Sequence, residues 1–428
     1  MEPTAQSLAQ RDYFTDLSVL LDPYAYFRAL AAQGPLTWLD HHGGILVVTG
    51  FDECVEVLRN HRDFSSVNCV VGAAYPLPFT PEGPDISDQI EAHRHQFPGH
   101  DLLVSFDDTR HTHMRALVNR LFTPTRLKAN EDYMRTLARQ MVDEAVAQGR
   151  CEMVNGIATP FVTMVIADLL GVPPEDRETF REVIDAAPPP GNMQAEEAPT
   201  QFSPLEFMAG YFARYLAERR AAPRQDILSE LATATYPDGT LPEIEDLVKM
   251  ATFMFGAGQD TSAKLLSNAT RYIVDVPGLQ ETLRAEPKRI PALLEEVLRL
   301  EGSTKATFRL ARRDTTIGGT PVKAGTRVLV ALAAANRDPR RWENPDEFRL
   351  ERPRILEHLA FGRGVHTCAG APLARAEVRV ILEEFLARTR HIDLDAQRHG
   401  PPGERRFAFE PSFIIRGLKE LHVILETA

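Results

Sequence analysis

Apolar residues recur at helical spacing along most of this chain, and the interruptions are informative. In "PYAYFRALAAQG" (Pro23–Gly34) they fall three and four apart and a glycine follows, which predicts a helix with its stop. "GGILVVTG" carries an unbroken apolar run and predicts a strand, with a helix over "FDECVEVLRN" after it. Between Cys69 and Phe106 the periodicity is lost, and Pro76, Pro78, Pro81, Pro84 and Pro98 intervene, so a long functional loop is expected there. Helical patterns resume at 111–121, 130–148, 155–170 and 174–186. A proline-punctuated connector over 187–204 reads as a lid hinge, and a helix over 205–220 follows it.

The longest helical pattern runs from near Pro242 to about Asp275, enough to cross a whole domain. "PKRIPALLEEVLRLEG" predicts another helix, and short strand patterns separated by "GGTPVKAGTRV" lie between Phe308 and Leu332. "APLARAEVRVILEEFLARTR" places Ala374, Val378, Ile381, Leu382 and Phe385 along one side of a helix, a core-packing stripe. With no repeat and no break in composition, the expectation is a mainly α protein with small β-sheets (α+β). It would form one domain over 1–428 with a flexible N-terminus over 1–20.

Charge and composition remove several classes. A formal net charge of -12 argues against a nucleic-acid binder, which needs a basic footprint. No run approaches the roughly 20 apolar residues of a membrane span, and "MEPTAQSLAQRDYF" lacks the basic and apolar parts of a signal peptide. A cytoplasmic protein without a membrane partner is expected. The cysteines, Cys54, Cys69, Cys151 and Cys368, form no CxxC pair, so neither a zinc knuckle nor a disulfide framework is indicated. The first three read as ordinary reduced thiols.

Cys368 stands apart. In "FGRGVHTCAG" it follows Gly362 and Gly364, precedes Gly370, and has His366 and Arg363 beside it just before a helix start. A helix N-terminus favours a thiolate, glycines allow close backbone approach to a planar group, and the basic residues could neutralise anions. Those properties suit a haem iron held by one cysteine; a flexible loop with an incidental thiol is the alternative. In "FMFGAGQDTSA", Gly256 and Gly258 weaken the long helix by about 1 kcal/mol each relative to alanine. An opening there would let Asp260 and Thr261 relay protons to a small ligand. Close helix packing, with Asp260 on a solvated face, is the alternative. Glu296 and Arg299 lie three apart on one helix face and could be joined by Arg352. His111 and Arg115, four apart, could grip two carboxylates, and Arg309 offers a bidentate donor from a strand.

Taken together and in order, these motifs resemble the cytochrome P450 family, the haem-thiolate monooxygenases, and the soluble bacterial type in particular. Phe361, Gly364, Cys368 and Gly370 match the family's haem-loop pattern, Glu296 and Arg299 its Glu-x-x-Arg pair, and Asp260–Thr261, after Ala257 and Gly258, its acid–threonine pair. The resemblance implies the P450 fold and haem b, with Cys368 as axial iron ligand. His111, Arg115, Arg309 and His366 would serve the propionates, and Ala257, Phe361, Gly362 and Gly370 would line the haem. Glu296, Arg299 and Arg352 would form a structural cluster. It also implies O2 as co-substrate and NAD(P)H-derived electrons arriving through a separate ferredoxin and ferredoxin reductase. The chain departs from many bacterial members in "LEGSTKATF", which lacks the usual proline after the Glu-x-x-Arg helix.

Substrate is expected to be a small apolar organic molecule, with Phe253, Met254, Phe308 and Phe413 as pocket candidates and His93, Arg94, His95 and His100 as recognition groups for a polar end. Residues 109–128 hold Arg110, Arg115, Arg120, Arg126 and Lys128 without an acid, and 352–390 hold 7 arginines against 4 glutamates. Such a patch would steer an acidic ferredoxin to a monomeric enzyme. A peroxide-driven peroxygenase and a non-catalytic haem sensor or carrier are the rival readings.

Overall fold

The structure is a computed structural model that describes residues 5–185 and 204–427. The connector expected to act as a lid hinge lies outside the described residues apart from its last position. Helices dominate. Those that matter below are α1 (Tyr24–Ala31), α2 (Phe51–Arg59), α3 (Asp108–Asn119), α4 (Pro124–Gln148) and α5 (Thr159–Leu169). They continue with α6 (Pro204–Ala221), α7 (Ile244–Asp275), α8 (Ile290–Glu301) and α9 (Ala371–Arg388).

Strands are short: β1 (Leu36–Leu39), β2 (Ile45–Val48), β3 (Phe64–Ser65), β4 (Arg150–Glu152), β5 (Thr307–Ala311) and β6 (Thr315–Ile317). They end with β7 (Thr320–Val322), β8 (Arg327–Val330), β9 (Thr389–Leu394) and β10 (His422–Thr427). One sheet runs β1-β2-β8-β5-β3, another β4-β10-β9, and β6 pairs with β7.

The unbroken apolar run in β2 has a physical reason. Successive strand residues face opposite ways: Ile45 and Val47 pack into a core with Tyr13, Phe27 and Leu329, while Leu46 and Val48 pack with Val57, Leu58 and Val328 under α2. Both faces of this strand are buried, so no polar residue alternates. The first of those cores corrects the expectation of a flexible N-terminus. Tyr13 is fully buried, donates to the Phe413 carbonyl at 2.6 Å, and stacks on Tyr26. Leu8 and Ala9 already pack into this core.

The helical core is built on α7, which has Glu245 and Asp246 in its first turn, where the helix dipole favours acids. Its 32 residues extend about 48 Å, and it packs against α5, α6, α8 and α9. Gly256 and Gly258 do not open it: the helix is continuous through both. The irregular stretch after Cys69 contains a short helix, Ser87–His93, closed down by Arg94. Arg94 is buried, donates to Asp107, Glu91 and the Ser105 carbonyl, and so is structural. His93 and His100 likewise bond to backbone carbonyls, of Gln89 and Phe97.

Adjacent glutamates on α8 fasten the segment that leads to Cys368. Glu296 receives Nε and Nη2 of Arg299 at 2.9 and 2.8 Å and Nε of Arg352 at 2.9 Å, all three side chains buried. The remaining guanidinium hydrogens go to the carbonyls of Asn336, Pro345, Glu343 and Glu347. A carboxylate this deep is tolerable because every charge has its partner. Removing Glu296 leaves two buried cations uncompensated. Glu296→Ala should therefore lower unfolding stability by about 3–5 kcal/mol in denaturant titration; an unchanged midpoint and slope would contradict this account of the segment.

Candidate functional site: a cysteine loop facing the central helix

Residues 361–370 fold into a tight loop closed by the Cys368 N–H donating to the Phe361 carbonyl at 2.9 Å and the Thr367 N–H to that of Gly364 at 3.1 Å. Gly364 has φ +74°, and a side chain there would collide with the Leu58 carbonyl at the end of α2. Its glycine thus serves packing of the loop on α2 rather than approach to a ligand. Phe361 is held from below by the Arg375 guanidinium, 4.6 Å from its ring centre. Arg375 in turn donates to both oxygens of Glu295 at 2.6 and 2.8 Å. His358 Nδ1 accepts the Ala360 N–H, so its Nε2 donates to Glu295 at 3.0 Å. Glu295, Arg375 and His358 were not among the sequence candidates; the doubled glutamate in "LLEEVL" was their one visible trace.

The Cys368 sulfur sits on the N-terminus of α9. Burial pushes its thiol up, while the N–H groups of Gly370 and Ala371 and the charges of Arg115 and Arg375 pull it back. It is closely surrounded by protein and still reachable by solvent. Ala257 is exposed midway along α7, although that helix is packed against α5, α6, α8 and α9.

Near Cys368 lies a cluster of basic side chains, of which Arg115 acts on the sulfur directly. The rings of His111 and His366 are 4.2 Å apart between centres, and Arg115 and Arg309 are near enough to act on His366 electrostatically. Burial, reinforced by these cations, lowers His111 to about 4 and His366 to about 2. Among the described residues neither Arg115 nor Arg309 has an acidic partner: Arg115 donates to Asn119, and Arg309 to Thr307 and the Phe308 carbonyl. Asp107, the nearest carboxylate to His111, is engaged by Ser65, the Ser66 N–H and Arg94. Nε2 of His111 is buried with no partner at all. Buried donors without acceptors are costly, and two carboxylates from a planar anionic group would satisfy them. The residues present fit a haem.

The model of the cytochrome P450 family matches residues 80–411. The chain belongs to the cytochrome P450 family. It is 33% identical over 408 residues to the P450 monooxygenase PikC of Streptomyces venezuelae, covering 94% of this chain and 91% of that one. Its fold superimposes on substrate-free CYP150A6 of Mycobacterium marinum with TM-score 0.92 and 46% identity, over 99% and 100% of the two chains. The corticosterone complex of CYP109E1 from Bacillus megaterium gives TM-score 0.78 at 28% identity, over 95% and 99%. This P450 is an oxidoreductase of a monooxygenase family that uses haem and O2 with NAD(P)H-derived electrons.

Not every candidate joins this cluster. Thr261 lies one turn beyond Ala257 and donates to its carbonyl at 2.9 Å. Asp260 is the next residue back, and consecutive helix residues point about 100° apart. Its carboxylate is taken by Lys264, so the expected acid–hydroxyl pair does not meet at one point. Phe308 is fully buried against Phe14 and Phe413, with ring centres 5.8 Å from each; this is aromatic core. Phe253 is half-buried and Met254 buried against the helical core.

Glu295 yields a pH test. Burial alone would raise it, but hydrogen bonds from Arg375 and His358 outweigh this and hold it at about 2, below the ordinary 4.5. Its ion pairs are therefore complete above about pH 4.5 and are lost as pH falls towards 2. The thermal midpoint should drop across that window, and Glu295→Gln should remove this part of the slope; parallel curves for the two proteins would contradict it.

Proposed function

We propose that this P450 hydroxylates a small, mainly apolar organic substrate, using haem b and electrons from a separate ferredoxin and its reductase. The observation that carries the reading is the cluster of His111 and Arg309, both buried, with the half-buried Arg115 and His366, near Cys368 and without a carboxylate of its own among the described residues. It is a site for a dianionic group next to a helix-capped sulfur. Haem supplies the activation of O2, one atom going to substrate and the other to water as two electrons and two protons are consumed.

The chain's own contribution follows from position. Cys368 would hold the haem iron through its sulfur, whose negative charge is stabilised by the N–H groups at the start of α9 and by Arg115 and Arg375. His111, Arg115, Arg309 and His366 would hold the propionates, and Phe361, Gly362, Gly370 and Ala257 would border the ring. Thr261, its hydroxyl hydrogen given to Ala257, keeps its oxygen free to accept a hydrogen bond on the cavity side and so to hold a water that delivers protons. The half-buried Phe253 on α7 would offer an apolar wall. The corticosterone bound by CYP109E1 supports the same substrate class.

The electron donor is argued from charge. Of the arginines in 352–390, Arg352, Arg375, Arg379, Arg388 and Arg390 are neutralised by glutamates or aspartates, and Arg126 by Glu230. Arg110, Arg120, Lys128, Arg354 and Arg363 form no ion pair among the described residues, and the exposed Leu356 and Val365 lie among the last two. A basic surface with an apolar centre beside the cysteine loop suits an acidic redox protein.

Two outcomes are expected. Thr261→Ala should lower product formed per NAD(P)H by about tenfold or more, with the reducing equivalents recovered as hydrogen peroxide; unchanged coupling would remove Thr261 from proton handling. Reduction by ferredoxin should slow as salt screens the approach and should weaken further in Arg363→Glu. A rate indifferent to ionic strength would remove this docking surface.

A further inference from the structure

Asp260 is one corner of a buried group of three ions. Lys264, one turn along α7, bonds to Asp260 and lies 3.0 Å from Glu410. The Lys264 side chain is 5% exposed, and those of Asp260 and Glu410 15% and 14%. Glu410 belongs to an arm that doubles back on itself: its N–H donates to the Gly417 carbonyl at 3.0 Å, and Phe409 bridges Leu418. A side chain at Gly417 would collide with the alkyl stem of Lys264, so this arm is seated directly on the lysine. The arm also touches Thr261's neighbourhood. Arg416 N–H donates to the Ser303 carbonyl at 2.7 Å, and Ser303 Oγ donates to the Thr261 carbonyl at 2.7 Å.

Two carboxylates share one cation here, and burial disfavours leaving both charged. Burial raises Asp260 and Glu410, with Lys264 opposing in both cases and Asp260 adding to the rise of Glu410. The other charged groups facing the cluster are Lys419, near Glu410, and Glu377 of α9, which bonds the adjacent Ser262 and is pushed by burial up to about 8.

We infer that Glu410 and Lys264 form, with Asp260, a proton-supply arm that enters from the C-terminal hairpin side. The inference rests on the monooxygenase reading above. A proton leaves the Asp260 carboxyl for water at the Thr261 face. Solvent protonates the Glu410 carboxylate, and the Lys264 ammonium then passes a proton to the Asp260 carboxylate as it takes one from the Glu410 carboxyl, which restores a neutral Asp260 and a charged Glu410. One proton enters, one leaves, and no electrons move. Glu410 and Lys264 are positioning residues; they set when Asp260 holds a proton.

The test uses the haem-loaded enzyme with Glu410→Gln, Glu410→Asp, Lys264→Met and Asp260→Asn. The carboxyl C=O infrared band is titrated in the resting protein, and Asp260→Asn identifies the Asp260 component. The partition of electrons between product and peroxide is then followed against pH. Glu410→Gln removes a like charge and should move the Asp260 titration and the acid edge of the partition to lower pH by about one unit, a tenfold change in proton affinity. Lys264→Met should move both to higher pH, and Glu410→Asp should restore the wild-type profile. A Glu410→Gln enzyme that matches a normally coupled wild type in both readouts would overturn the triad alone. A wild type that forms no oxygen-dependent product would overturn the monooxygenase reading and this inference with it.

Discussion

Everything placed around Cys368 depends on one turn of helix α8, where two neighbouring glutamates bind four basic side chains. Glu296 neutralises Arg299 and Arg352 and so pins residues 336–352, whose carbonyls those arginines also gather. Glu295, facing another way, pins His358 and Arg375, one before the cysteine loop and one behind it. A loop of this length has no hydrogen-bonded ladder of its own to fix it. Charge pairing in a dry interior replaces the ladder, and the loop inherits the rigidity of α8 and α9.

Against that balanced region stands an unbalanced one. His111 and Arg309 are buried, with Arg115 and His366 half-buried beside them; none has a carboxylate of its own among the described residues, and His111 keeps an unmet ring nitrogen. A folded chain sustains such a cluster when a bound group supplies the missing negative charge. The contrast between the satisfied arginines of the Glu296 network and the unsatisfied basic groups a few residues from Cys368 separates scaffold from site on physical grounds.

The sequence made legible what is encoded locally. The Cys368 loop, the Glu296–Arg299 spacing and the course of α7 could be read because their residues are close along the chain. Phe308 and Phe413 could not be placed, since their neighbour Phe14 comes from the far end of the chain and only tertiary packing distinguishes cavity wall from core. Arg94 was offered as a recognition group and is instead held by Asp107, thirteen residues on. The direction of Asp260 was within reach: "DTSAK" puts a lysine four residues after the acid, the spacing that forms helix ion pairs. Glu410 was not, because nothing in the sequence joins it to α7.

The central claim is that Cys368, capped by α9 and flanked by the cationic cluster, holds haem through its sulfur. The direct measurement is the absorption spectrum of the reduced, carbon-monoxide-bound protein, taken on the native chain and on Cys368→Ala. The account predicts a strongly red-shifted Soret band in the native protein that is lost in the variant. A Soret band typical of histidine-ligated haem in fresh native protein, or a red-shifted band that survives in Cys368→Ala, would contradict it.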